Sequence, residues 1–215
     1  MPTPKDRDAI ERSLVRKVSA ALAGILRGLR ILLEDSTPPT DTWWDEQSEA
    51  LSVVLVPELE KAAHAGYDAV GFPSDDTPIR DAIDDWLLVH GPELIKGLTD
   101  VSREALADAI GDFFEGEGVT LQDVVDRIEP YFGADRAMRI AVTETTRAYD
   151  LGDQVATQEL RDAGFIVKDI WNTNMDSLVD PDCLEREGKE SKDWPTPDRP
   201  PLHPNCRCWV THSIL

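Results

Sequence analysis

The C-terminal third of this chain carries two short ladders of metal-ligand side chains, Asp180-Pro-Asp-Cys183 and His203-Pro-Asn-Cys206-Arg-Cys208, with nineteen residues between them. Ligand-x-x-ligand spacing lets two side chains of one tight turn converge on a single ion. Two such turns brought together complete a four-coordinate tetrahedral site. Thiolate and imidazole donors suit Zn2+. Cys183, His203, Cys206 and Cys208 make a Cys3His set, with Asp180 as a substitute ligand. The stretch needs help of this kind. Between 172 and 205 its apolar residues are Met175, Leu178, Val179, Leu184, Trp194, Leu202 and little else, too few to offset ordering entropy by burial alone. A structural zinc contributes on the order of 10 kcal/mol to the folding of such a unit. Two other readings stay open. The thiols can be inert buried core, or Cys183 can form a disulfide with Cys206 or Cys208. Three cysteines are too few, and odd in number, for a disulfide scaffold, so reduced thiols and cytosolic synthesis are expected.

Upstream, the pattern is helical. In 6–33, Val15, Val18, Leu22, Ile25, Leu29 and Leu32 recur at alternating three- and four-residue steps, a short heptad seam. Packing within the chain and pairing between copies through residues 15–32 are both open outcomes. The next helix is expected over 43–64, capped by Asp41 or Thr42 and kinked or split at Pro57. A loop follows at 71–77. Thr77 and Pro78 then start a helix that Gly91-Pro92 breaks after His90, and a further helix runs to Glu115. After a turn at 116–118, Thr120 and Asp123 form a capping box ahead of a helix at 121–130. A last helix, 134–163, stops at Gly164. Its apolar positions Met138, Ile140, Ala141, Ala148, Leu151, Val155 and Leu160 make it the expected spine. Glu144 and Arg147 lie on one face and can pair there. Strands are expected at 165–171 and 206–211. The fold class is mostly α: a helical N-terminal two-thirds and a small, zinc-stapled α+β C-terminal unit. The expected regions are 1–94, 95–164 and 165–215.

Charge narrows the function. The formal net charge is −20, and residues 35–135 hold 24 acidic against five basic residues. That argues against a dedicated nucleic-acid binder or sequence-specific reader, and against docking on an anionic membrane. It favours basic protein partners. Asp75-Asp76 and Asp84-Asp85 read as solvated neighbours. No membrane span is expected, since the longest nearly apolar run is 20–26. The first residues lack the apolar segment of a secretory signal. The sequence has no G-x-S-x-G, no G-x-x-x-x-G-K-[ST] and no H-E-x-x-H, and its four histidines form no i, i+4 pair.

Four segments, in order, resemble one known family. They are Leu98-Thr-Asp-Val-Ser-Arg103, Arg136-Ala-Met-Arg-Ile-Ala-Val-Thr-Glu-Thr-Thr-Arg-Ala-Tyr149, Trp171-Asn-Thr-Asn-Met-Asp176 and Pro200-Pro-Leu-His-Pro-Asn-Cys-Arg-Cys208. The family is the phage Mu F-like minor head proteins, also called the phage head morphogenesis family. The last segment is the most specific. The resemblance spans about residues 95–210 and does not extend to 1–94. Asp180 stands where the family often has a cysteine, and Val142 where it often has an arginine.

The resemblance implies a minor structural protein of a tailed-phage head. Such a protein is made in the host cytoplasm, associates with the portal, the major capsid protein or the scaffold at the capsid interior, and ends up in the virion. On this reading the chain is not an enzyme, and the N-terminal seam is its docking surface. The alternative is a zinc-dependent hydrolase or toxin-like effector. There Cys183, His203 and Cys206 would hold the metal, and Asp180 or Asp182 would act as general base.

Overall fold

Five helices precede a two-stranded sheet in the computed structural model, which describes residues 4–71, 77–114 and 118–215. They are α1 (Lys5–Glu34), α2 (Asp41–Ala69), α3 (Thr77–Phe114), α4 (Leu121–Ile128) and α5 (Ala134–Asp162). A single 3-10 turn, Glu129–Tyr131, joins α4 to α5. Strands β1 (Val167–Asn172) and β2 (Trp209–Ile214) pair antiparallel, with Trp171 opposite Val210. Between them lie a one-turn helix, α6 (Pro181–Leu184), and a 3-10 turn, Ser191–Asp193. Among the described residues no helix is long and apolar enough to cross a membrane. Residues 72–76, which include Asp75-Asp76, and 115–117, which include the expected helix end at Glu115 and most of the expected turn, lie outside the described residues. Asp84 and Asp85 are exposed.

The seam of α1 is buried inside the chain, which corrects the expectation of a free docking or self-pairing surface at 15–32. Val18, Leu22, Ile25 and Leu29 are all at most 4% exposed, packed in one core with α2 and α5. The face is rotated slightly from the heptad reading. Leu14 and Leu33 are buried, while Val15 and Leu32 are only half-buried. That rotation suits a straight helix wrapped by two neighbours rather than a two-stranded coil. Lys17 reaches across to Glu58 of α2 at 2.7 Å, and Lys61 meets the same carboxylate. Glu58 is 2% exposed. Burial alone would raise its pKa, but the two ammonium groups hold it below the usual range.

Neither helix is split at its proline. Helix α2 runs unbroken through Pro57, and α3 through Pro92. Both rings sit on the solvent side. Each proline frees the carbonyl four residues back, at Val53 and Leu88, and those residues are 70% and 75% exposed, so water can take up the lost bond. Gly91 also lacks the Cβ that would clash with the following proline ring. The α2 cap is Thr40, whose hydroxyl accepts the Trp43 N–H, and not Asp41 or Thr42. The Thr120–Asp123 capping box is present on α4.

Helices α2 and α5 make the most extensive helix–helix contact among the described residues. Ala62, Ala63 and Gly66 face Ala148, Gly152 and Ala156, all buried. A Cβ added at Gly152 would lie 1.8 Å from the Ala63 carbonyl oxygen, and one at Gly66 would lie 1.9 Å from that of Tyr149. Backbone therefore meets backbone here. On α5, Ile140, Ala141, Ala148 and Leu160 are buried as expected, but Met138 is 45% exposed. Helix α5 also buries polar side chains, Glu144, Thr145, Thr146, Asp150, Asp153 and Thr157. Of these, Glu144 meets α3, and Thr146, Asp150 and Asp153 meet the C-terminal unit.

Candidate metal centre

The C-terminal unit folds around its cysteines. Cys183, Cys206 and Cys208 pack with Trp171, Trp194 and Val210 into a second small core. The two indoles meet edge to face at 5.2 Å. Asp180 caps the one-turn helix α6, its Oδ1 accepting the Asp182 N–H at 2.9 Å, and so turns Cys183 inward. On the other ladder, the Cys206 N–H reaches the His203 carbonyl at 3.2 Å, and Asn205 takes a left-handed φ of 65°. Asparagine tolerates that conformation. The result is a tight knuckle with His203 and Cys206 on one side.

The ligand atoms of Cys183, His203 and Cys206 lie within 4.8 Å of one another. Cys183 Sγ is 3.2 Å from His203 Nε2 and 3.8 Å from Cys206 Sγ. Two sulfurs bound tetrahedrally to one zinc at about 2.3 Å stand about 3.8 Å apart, and a sulfur–nitrogen edge is about 3.5 Å. The residues present therefore fit a zinc-sized cation. His203 Nδ1 lies 2.9 Å from the Pro204 carbonyl, which orients Nε2, with its lone pair, toward the thiols. Metal-binding histidines are commonly fixed in this way. All three cysteines are free thiols.

Cys208 and Asp180 line the same small hollow as the trio. Neither belongs to the group whose ligand atoms lie within 4.8 Å of one another, although Cys208 is buried beside it. Hydrogen bonds from Cys183 and Cys208, and from the backbone of Cys208 and Leu202, pull the Cys206 thiol far below its usual range. Its neighbours move the other way. The Cys183 thiol is pushed up to about 12 by its hydrogen bond with Cys206, and Cys208 is pushed up by Cys183 and Cys206. A cation in their midst favours further ionisation, because metal binding releases thiol protons.

Two helices hold the knuckle from outside. Thr146 of α5 donates its hydroxyl to the Cys206 carbonyl at 2.8 Å, and Thr143 accepts the Asn205 N–H at 3.0 Å. Arg7 of α1, only 1% exposed, donates to the Cys208 carbonyl at 3.0 Å and lies over the Trp209 and Tyr149 rings. Arg207 pairs with Glu11 at 3.3 Å. With the carbonyls of Cys206 and Cys208 taken in this way, β2 starts at Trp209, three residues later than the pattern of apolar residues predicts. Glu144 and Arg147 pair at 2.5 Å as expected. Glu144 also meets His90 of α3 at 2.7 Å, and His90 stacks on Trp86.

A buried charge network lies beside the knuckle. Arg199 meets Asp150 and Asp153 of α5 and Asp169 of β1. His212 of β2 donates to Asp153 at 2.7 Å and to Asp169 at 2.9 Å, and Arg161 grips Asp169 through both oxygens. Three cations thus balance three carboxylates. Burial alone would lower the His212 pKa, but hydrogen bonds to Asp153 and Asp169 push it up to about 9. Burial raises Asp150 to about 6, against the pull of Arg199. Nothing in the sequence pattern singles out these residues, because charged side chains on α5 read as its solvent face.

The network makes two measurable predictions. Arg199→Met leaves three buried carboxylates undercompensated and is expected to cost about 3–5 kcal/mol in denaturant unfolding. A group whose folded pKa is raised gives stability that is full below its unfolded pKa and lost as pH rises through the folded value. For His212, with an unfolded pKa near 6.5, the window runs from about 6.5 up through about 9. Wild type is expected to lose on the order of 3 kcal/mol more than His212→Gln across that window. Parallel curves for the two proteins would refute the assignment.

These features define a class: a helical body whose last long helix carries, on threonine and carboxylate side chains, a small Cys/His unit closed by a two-stranded sheet. The chain belongs to the family described as Phage Mu protein F like protein, which matches residues 103–211, just over half of its length. The match contains three of the four motif segments, and the Leu98-to-Arg103 segment stands ahead of it except for Arg103. Membership suggests a role in phage head morphogenesis. No curated protein and no solved structure matches the chain.

The structure brings two family motifs into contact. Thr143 and Thr146 of the helix motif hold Asn205 and Cys206 of the closing motif. Val142, where the family often has arginine, is fully buried.

Proposed function

We propose that this chain is a non-enzymatic minor head protein of a tailed phage, built into the capsid interior, where it docks to the portal or to the capsid or scaffold protein. The family match over residues 103–211 carries the reading. Under it, Cys183, His203, Cys206 and Cys208 hold a structural Zn2+. Cys208 is the better fourth ligand, since its buried thiol lines the same hollow while the Asp180 carboxylate serves as a helix cap. The ion supplies a cross-link between the two ladders. A thiol-rich, closed ligand set is the pattern of structural zinc, whereas catalytic sites keep a position for water.

The test is to purify heads from phage-producing cells and quantify the chain in particles made with and without portal protein. Incorporation at a fixed copy number is expected. Absence from assembled heads would overturn the docking reading. Metal-dependent hydrolysis lost in Asp182→Asn would overturn the non-enzymatic one.

A further inference from the structure

With the α1 seam buried, the apolar surface left for a partner lies elsewhere. Helices α2 and α3 run antiparallel, with Ser48 beside Thr99 and Asp41 beside Arg103. Between them is a groove of about 600 Å3. Val56, Leu87, Leu88, Pro92 and Ile95 form its apolar lining, and Ser52 and Asp84 are its polar members. The hollow exists because Gly91 brings no side chain to it. A Cβ built there meets nothing within 4 Å. Leu88 is 75% exposed, and Val53 and Val89 beside the groove are 70% and 64% exposed. The volume falls in the range of about 300–1,000 Å3 typical of binding pockets.

The charge around this groove has one sign. Helices α2 and α3 carry fifteen acidic residues and four basic ones. Of the basic four, Lys61 is paired with Glu58 and Arg103 with Asp41, and Arg80 also has a partner. Asp81, Asp84 and Asp85 precede Leu88 on α3, and Glu49 and Glu60 flank Ser52 and Val56 on α2. None of these five carboxylates has an ion-pair partner among the described residues. An apolar trough edged by uncompensated carboxylates is complementary to one kind of occupant. It suits a helix with leucine-like anchors at i, i+3, i+4 and i+7 and lysine or arginine on its flanks.

We infer that the α2–α3 groove is the docking site for a basic amphipathic helix of a partner protein. The inference rests on the docking reading above only for the partner's place in the head. The groove itself is testable without heads.

The probe is a synthetic helical peptide with leucine at i, i+3, i+4 and i+7 and lysine elsewhere. Its controls are a leucine–glutamate peptide of the same pattern and a lysine–serine peptide of the same charge. Binding is followed by fluorescence anisotropy at two salt concentrations and mapped by amide chemical shifts on the full chain. The leucine–lysine peptide is expected to bind at least tenfold tighter than either control, with shifts along 49–60 and 81–95. Leu88→Gln removes an exposed side chain and is expected to keep the amide spectrum dispersed while weakening binding about tenfold. Asp84→Asn with Asp85→Asn should weaken binding and flatten its salt dependence. Equal binding of the lysine–serine peptide would overturn the inference, as would an unchanged affinity in Leu88→Gln or shifts confined to other helices. Two further outcomes separate the readings. A Leu88→Gln chain that loses the peptide yet enters heads at wild-type copy number sinks the groove as the head contact and leaves docking intact. A wild-type chain that binds the peptide through the groove but is absent from heads supports the groove and overturns the head reading.

Discussion

Gly152→Ala is expected to destabilise the protein by about 5 kcal/mol, although helix propensity alone favours alanine by about 1 kcal/mol. The new methyl would stand 1.8 Å from the Ala63 carbonyl oxygen and 2.8 Å from the Tyr67 nitrogen. Both are backbone atoms of α2, so no side chain can swing aside. The helices must part, and the contacts of Ala62, Ala63, Ala148 and Ala156 loosen together. Most overpacking mutations cost about 1–3 kcal/mol because flexible side chains yield. Here the obstacle is a hydrogen-bonded helix. Gly97→Ala in α3 is the control, since its Cβ meets nothing within 4 Å, and it is expected to stabilise by up to about 1 kcal/mol. Equilibrium urea unfolding of the three proteins decides the matter. A Gly152→Ala midpoint at or above wild type would show that α2 and α5 are not packed backbone to backbone.

That crossing shows what kind of information a sequence carries openly. The helices over 5–34, 121–128 and 134–162 follow from apolar periodicity, a capping box and a stop at Gly164, whose φ of 92° suits glycine. All three signals are local. Pro57 and Gly91-Pro92 are local signals too, and read as helix ends they mislead. Whether a proline ends a helix depends on where its ring and the freed carbonyl face, and that is set by neighbours far along the chain. The α1 seam is legible as an apolar stripe, but whether it meets another copy or α2 and α5 is a tertiary question. Gly66 and Gly152 look like weak points in two helices until the backbones are seen to touch.

The candidate site divides the same way. Cysteine and histidine are rare in this chain, so the ladders at 180–183 and 203–208 stand out from sequence alone. The residues that hold them do not. Arg7 is 201 positions from the carbonyl it donates to, and Arg199 is 49 from Asp150. Asp150 and Asp153 sit on a helix whose charged positions would ordinarily face water. Only the fold reveals that this face of α5 is covered, and that the burial of Asp150 and Asp153 is matched by Arg199 from the loop between β1 and β2 and by His212 from β2.

Removing the metal is expected to be the largest perturbation of all. Protein purified without chelator should contain about one equivalent of zinc, and stripping it should remove on the order of 10 kcal/mol of folding free energy from the C-terminal unit. The reporters are local. Trp171, fully buried, and Trp194 meet edge to face within the unit that also contains Cys183 and Cys206, so their near-ultraviolet circular dichroism should collapse first. The far-ultraviolet signal, dominated by α1 to α5, should fall less. The effect should spread to α1, because Arg7 loses the ordered Cys208 carbonyl it donates to and is left buried between Tyr149 and Trp209. Cys206→Ser should reproduce the stripped state in the presence of zinc. Cobalt substitution then identifies the fourth ligand. Cys208→Ser should weaken the sulfur-to-cobalt charge-transfer band, and Asp180→Asn should leave it intact while loosening the α6 cap by about 1 kcal/mol. Loss of cobalt binding in Asp180→Asn with an unchanged spectrum in Cys208→Ser would transfer the ligand role to the carboxylate. Protein that holds no metal and keeps its tryptophan signal after Cys206→Ser would show that the two indoles and the packed thiols hold the unit together without an ion.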